Sequence, residues 1–305
     1  MVRYRVRDKI FKKESMSNSR MKRLVVSAAA LTVAAVLVVV AFTARDSGDN
    51  TVKPSPSSSP TSSSSVSPSP SETDEPLAPE LIDSADAIDF STMKDEYGIE
   101  VDGPELTDGF GTYQQIKIPD NSAIYSVGTS GGYPLDLTEA YDESQIEEAR
   151  KFAVDYIFYG LLDNPASVDA SLEYRQQAVD AVLPMVGEEY REEYEKALLD
   201  ETSYNLLSPL TYSYSRGYSA VYEEGRPRFA LTMFDQGEKP DASLGDGIIA
   251  FYYDLEVQAP GKSFDDGKLY QLVAGYSVAV AVSVSDDGDY KVVGWTYANF
   301  YSNVE

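Results

Sequence analysis

The period of the apolar residues changes once along the chain, and that change constrains the fold more than any other feature. Ile146, Ala149, Phe152, Ala153, Tyr156, Ile157 and Tyr159 recur every three or four positions, and the pattern runs through Leu162. This is the spacing of a helix with one buried stripe. A second stretch over 172–183 puts Leu172, Ala178, Val179, Val182 and Leu183 on one side, and a third over 188–200 turns Tyr190, Tyr194, Ala197 and Leu198 inward. Beyond residue 212 the period becomes two. Alternating stretches cover 212–222, 228–234, 248–257, 269–284 and 290–301. One face of the third carries Ile249, Phe251, Tyr253, Leu255 and Val257, and one face of the fourth carries Tyr270, Leu272, Ala274, Tyr276, Val278, Val280 and Val282. Helices followed by a run of strands predict an α+β domain, with two or three helices packed on a curved antiparallel sheet of about five strands.

Local signals mark the ends of these elements. Ser144 and Glu147 stand three apart as a capping box at the first helix. Asp163-Asn164-Pro165 stops that helix, and Pro184 with Gly187 ends the second. Asp265-Asp266-Gly267, Gly245-Asp246-Gly247, Glu223-Glu224-Gly225 and Asp286-Asp287-Gly288 are turn sequences between strands. Ahead of the helices, 112–118 and 123–127 read as two strands around the turn Pro119-Asp120-Asn121-Ser122, a hairpin within a lead-in over 85–141. The Glu-rich faces of the helices read as solvated surface.

The amino-terminal part has a different character. Residues 24–44 form an uncharged run whose only polar groups are the hydroxyls of Ser27, Thr32 and Thr43. At 1.5 Å per residue such a run matches a hydrocarbon core of ~30 Å. Nine basic residues against Asp8 and Glu14 precede it, which by the positive-inside rule places the amino terminus in the cytoplasm. A cleaved signal peptide, with translation starting at Met21, is the alternative. Residues 45–84 are rich in Ser and Pro and read as a disordered spacer. The expected layout is a basic cytoplasmic tail (1–23), a single-pass transmembrane helix (24–44), the spacer (45–84), the lead-in (85–141) and an extracellular domain (142–305). Its expected partners are the lipid bilayer, through 24–44, and an envelope protein or cell-wall component.

Composition excludes several chemistries. The chain has no His and no Cys, which removes the Ser-His-Asp triad, His-ligated zinc, thiolate nucleophiles and disulfides. Fifty acidic residues against 25 basic ones give a net charge of −25, so a nucleic-acid partner is not expected. The Asp-rich turns at 265–267 and 286–289 lack the alternating oxygen ligands of a calcium loop, and neither a metal nor a cofactor is expected. Ser91-Thr92-Met93-Lys94 matches the Ser-x-x-Lys element of penicillin-recognising enzymes, but the Lys-Thr-Gly element is missing. With so many carboxylates no glycosidase pair stands out.

Alternation places Tyr212, Tyr214, Arg216, Tyr218 and Tyr222 on one side of the first strand. An aromatic surface with one guanidinium suits a carboxylate, a phosphate or an anionic sugar; the same pattern also describes a sheet core with Arg216 paired to a nearby carboxylate. The stretches EEARKFAVDYIFYGLL and DYKVVGWTYANFY, with their element order and aromatic placement over about 142–305, resemble the nuclear-transport-factor-two-like α+β cone. They look most like its membrane-tethered actinobacterial ectodomains. The resemblance implies either a non-catalytic assembly module or a cone enzyme with an acid–base pair, and the lack of His speaks against the latter. The leading expectation is a non-catalytic binding or assembly module of the cell envelope. The alternative is a small-molecule-binding or carboxylate- and Tyr-based enzyme. A third role is biophysical, with the acidic surface keeping the domain soluble. A deep pocket holding a buried carboxylate would favour the enzyme; a filled interior with an aromatic patch would favour the module.

Overall fold

The computed structural model describes residues 78–166, 171–199, 217–245, 247–285 and 288–303. In chain order the elements are β1 (Glu80–Ile82), α1 (Ser91–Asp95), β2 (Glu105–Asp108), β3 (Gly111–Gln114), α2 (Leu135–Ala140) and α3 (Glu143–Asp155), which runs on into a π-helical segment, Tyr156–Leu162. There follow α4 (Leu172–Val182), α5 (Arg191–Leu199), β4 (Tyr218–Ala220), β5 (Ala230–Gln236), β6 (Ile248–Ser263), β7 (Leu269–Ser283) and β8 (Lys291–Ser302).

The expected period of two produces the centre of the sheet. β6 and β7 form one long antiparallel hairpin, in register from Ile248 opposite Ser283 to Lys262 opposite Leu269. Its turn is built from Asp266, whose Oδ1 accepts the Lys268 amide at 3.1 Å, and from Gly267 at φ +71°, a conformation that costs a side chain. β8 and β1 pair with the two ends of one edge of β7, and β5 and β4 with the outer edge of β6. Register shifts at Leu231/Met233, Gly275/Tyr276 and Ala281/Val282 bend the strands. Ile249, Phe251, Tyr253, Leu255 and Val257 are all buried on the inner face, as are Leu272, Ala274, Tyr276, Val278, Val280 and Val282 opposite them.

The helices cover that face. α3 buries Ile146, Ala149, Ala153 and Val154, and packs on β6 and β7. Its N-cap is Asp142, whose amide donates to Gln145 Oε1 at 3.0 Å; the box therefore starts two residues before Ser144. The expected single helix through Leu162 changes register after Asp155. Within the π-helical segment, Gly160 lies so close to the Tyr156 ring that a Cβ there would sit 2.9 Å from Cδ2. The stop falls where the sequence places it: the Asp163 amide bonds the Phe158 carbonyl at 2.7 Å, and Asn164 Oδ1 accepts the Ala166 amide at 2.9 Å. The hairpin of the lead-in is β2–β3, while Ala123–Ser126 is a 3-10 turn capped by Ser122 and not a strand. The side chain of Ser122 offers the Ile124 amide a local partner, and this competes with extension.

Two parts of the expected architecture are corrected. The main sheet has six strands rather than about five, because β1, from ahead of the helices, pairs with β7 beside the five expected strands. More importantly, among the described residues no helix is long and apolar enough to cross a membrane. The longest α-helix, α3, has 13 residues, roughly 20 Å, and carries charge along its outer side. The run 24–44 lies outside the described residues; among the described residues the fold class is α+β with no membrane-spanning helix, and the expected transmembrane, single-pass description is not supported.

Candidate functional site

The side of the sheet on which the tyrosines were expected to line up is divided in the structure. Tyr212, Tyr214 and Arg216 lie outside the described residues. Tyr218, on β4, is half-buried and meets the Tyr270 ring edge-on at 5.7 Å. Exposed Leu81, on β1, pairs opposite Tyr270, so this end of the sheet presents an apolar, aromatic surface. Tyr222 is not part of it. It leaves the strand and enters the interior, where its hydroxyl donates to Asp108 Oδ2 at 2.6 Å.

There the described residues bring together a charged cluster that the sequence reading missed. Arg228 is 2% exposed, and its Nη1 lies 3.2 Å from Asp108 Oδ2. Its Nη2 donates to the Leu162 carbonyl and its Nε stands 3.9 Å from Asp163 Oδ1. The guanidinium sits over the Tyr113 ring at 5.0 Å, and Tyr113 in turn packs on Tyr222 at 5.3 Å. Each member comes from a different place: Asp108 ends β2, Tyr113 is in β3, Asp163 caps the π-helical segment, and Arg228 precedes β5. Asp163 also holds the strand-like stretch after β3, since its Oδ2 accepts the Ile116 amide and its carbonyl accepts Gln115 Nε2, both at 2.7 Å.

Desolvation dominates the electrostatics here. Burial pushes the Asp163 carboxyl up to about 7, although Arg228 and the Ile116 amide both pull it down. Burial likewise raises the Tyr222 and Tyr113 phenols well above their ordinary range, against the pull of Arg228. For Arg228 burial works downward, but Tyr113, Tyr222, Asp108 and Asp163 outweigh it and keep the guanidinium charged.

A carboxyl tuned near neutrality beside a cation and two phenols could in principle hold and move a proton. Access decides against its use on a substrate. Asp163, Asp108 and Arg228 are 0%, 3% and 2% exposed. A cleft elsewhere in the described residues, lined by Val127, Tyr133, Arg150, Gln236 and Tyr253 among others, includes none of the three. Among the described residues no group of three or more acidic side chains is placed to hold a metal ion. At the Asp265–Gly267 turn, Asp266 instead accepts from Tyr270 Oη at 2.9 Å and faces Lys268 at 3.6 Å.

Comparison with protein-family models, with curated proteins and with solved structures finds no match. The resemblance to the nuclear-transport-factor-two-like cone is thus neither supported nor refuted by a relative.

Proposed function

We propose that the α+β unit is a non-catalytic binding or assembly module, with the aromatic end of its sheet around Tyr218 and Tyr270 as the face it offers. The observation that carries this reading is the sealing of the Asp108–Asp163–Arg228 cluster. The carboxyl best suited to acid–base chemistry makes internal bonds that join the lead-in hairpin, the helix end and β5, and solvent does not reach it. The envelope setting expected from the sequence rests on residues 1–77, outside the described residues, and the proposal does not depend on it.

The enzyme reading keeps one observation in its favour, the Asp163 carboxyl near 7. It requires the cluster to open in the native state, and one experiment separates the two. The Ile116 amide, bonded to Asp163 Oδ2, should exchange with deuterium only by global unfolding, so that its opening free energy equals the stability from chemical denaturation. An opening free energy several kcal/mol below the global value would expose Asp163 to substrate and overturn the module reading.

A further inference from the structure

A second buried cation lies apart from the Arg228 cluster, and it lacks what Arg228 has. Arg150, on the inner face of α3, is 8% exposed, and its Nε and Nη1 are buried with no hydrogen-bond partner. The Tyr133 ring lies under its guanidinium at 5.9 Å, and no carboxylate pairs with it among the described residues. The hydroxyls of Tyr133 and Tyr253 are also buried without partners. All three residues line the same cleft between α3 and the sheet, with Val127, Gln236 and Phe251. A buried guanidinium with unmet donors is costly, and such groups are rare unless water or an ion completes them.

We propose that this cleft is a binding site for a small monovalent anion, either a halide or the carboxylate head of a ligand. Every orphaned group there can donate: the guanidinium N–H groups and two phenols. Donors of this kind converge on an acceptor bearing negative charge. The size of the space sets an upper limit. The cleft encloses ≈ 10 Å³, about one water-sized sphere, which admits a single halide or one oxygen of a carboxylate whose remainder stays outside. Its surroundings limit the charge. Glu143 and Glu147 lie close enough to Tyr133 to raise its phenol, after burial, and Asp241 at the rim accepts from Tyr252 at 2.8 Å. These carboxylates oppose a doubly charged guest, while one negative charge on Arg150 is compensated. The inner wall is preorganised, because Tyr253 stacks on Phe234 at 4.8 Å and its ring cannot turn away.

The test titrates the full chain, with its tyrosines isotopically labelled, against chloride or acetate in a sulfate background at constant ionic strength, since the double charge of sulfate is opposed at the site. Saturable shifts of the Tyr133 and Tyr253 signals are expected. Tighter binding of acetate assigns the site to carboxylate ligands, and tighter binding of chloride assigns it to halide; sulfate should compete with neither. Arg150→Met should weaken binding at least about tenfold, as expected for loss of a charge-assisted hydrogen bond. Tyr253→Phe, which keeps the ring and hence the packing, should weaken it about threefold or more and decides the matter if the first variant does not fold. The absence of saturable shifts with either anion, or shifts that survive both substitutions and so report an anion bound elsewhere, would overturn the proposal. This site shares no residue with the Asp163 cluster, so the exchange experiment on Ile116 and the anion titration can fail independently.

Discussion

Replacing Asp163 with Asn should remove a pH dependence that the wild-type fold carries. In the folded chain burial holds the Asp163 carboxyl at about 7, against an ordinary value of 3.8. Between these two values the folded state keeps a proton that the unfolded state has released, so stability must fall as pH rises. The contribution is fully present below pH 3.8, drains away as pH climbs to about 7, and is constant above that. With 1.36 kcal/mol for each tenfold change, the total is on the order of 4 kcal/mol. Other carboxylates titrate in the same range, so the quantity to measure is the difference between wild type and Asp163→Asn. The amide has the shape of the protonated acid and can still accept from the Ile116 amide through its oxygen. Urea denaturation of both proteins from pH 4 to pH 8 should show the wild-type advantage shrinking by several kcal/mol and levelling off above neutrality. A difference that stays flat, or that grows with pH, would mean that Arg228 keeps Asp163 ionised throughout, and the desolvation argument would be wrong.

Two further substitutions probe the same region. Arg228→Met should cost about 3–5 kcal/mol at pH 8, because Asp108 and Asp163 are left buried without their cation, and less at pH 5, where Asp163 is protonated; denaturation midpoints at the two pH values check both parts. Gly160→Ala should destabilise by about 1–3 kcal/mol by forcing a methyl against the buried Tyr156 ring, with a changed near-ultraviolet circular dichroism as the accompanying sign, whereas an unchanged midpoint would show that the π-helical segment relaxes without cost.

Some of the interior could have been read earlier from spacing. Arg150 stands four residues after Ile146 and three before Ala153, which puts it on the apolar stripe of the helix. Its neighbours Glu147, Glu148 and Lys151 disguise it as part of a solvated charge run. Arg228 gave a weaker signal, a charge between Pro227 and Phe229 at the start of a strand pattern. Its partners Asp108 and Asp163 lie 120 and 65 positions away, and no local rule selects them among 50 carboxylates. The expected alignment of Tyr218 with Tyr222 failed because β4 ends at Ala220, so the chain is free to carry Tyr222 inward.

The sequence by itself determined whatever depends on near neighbours along the chain: helices before strands, the inner faces of β6 and β7, the helix stop at Asp163 to Pro165, and the turn at Gly267. Each follows from side-chain period or from a residue bonding its own backbone, and both act within a few positions. Tertiary structure alone decided which cation is paired and which is left with open donors, because burial and ion pairing arise between segments that meet only when the sheet and helices close on one another. The strength of those charges is set by the water that this closure excludes.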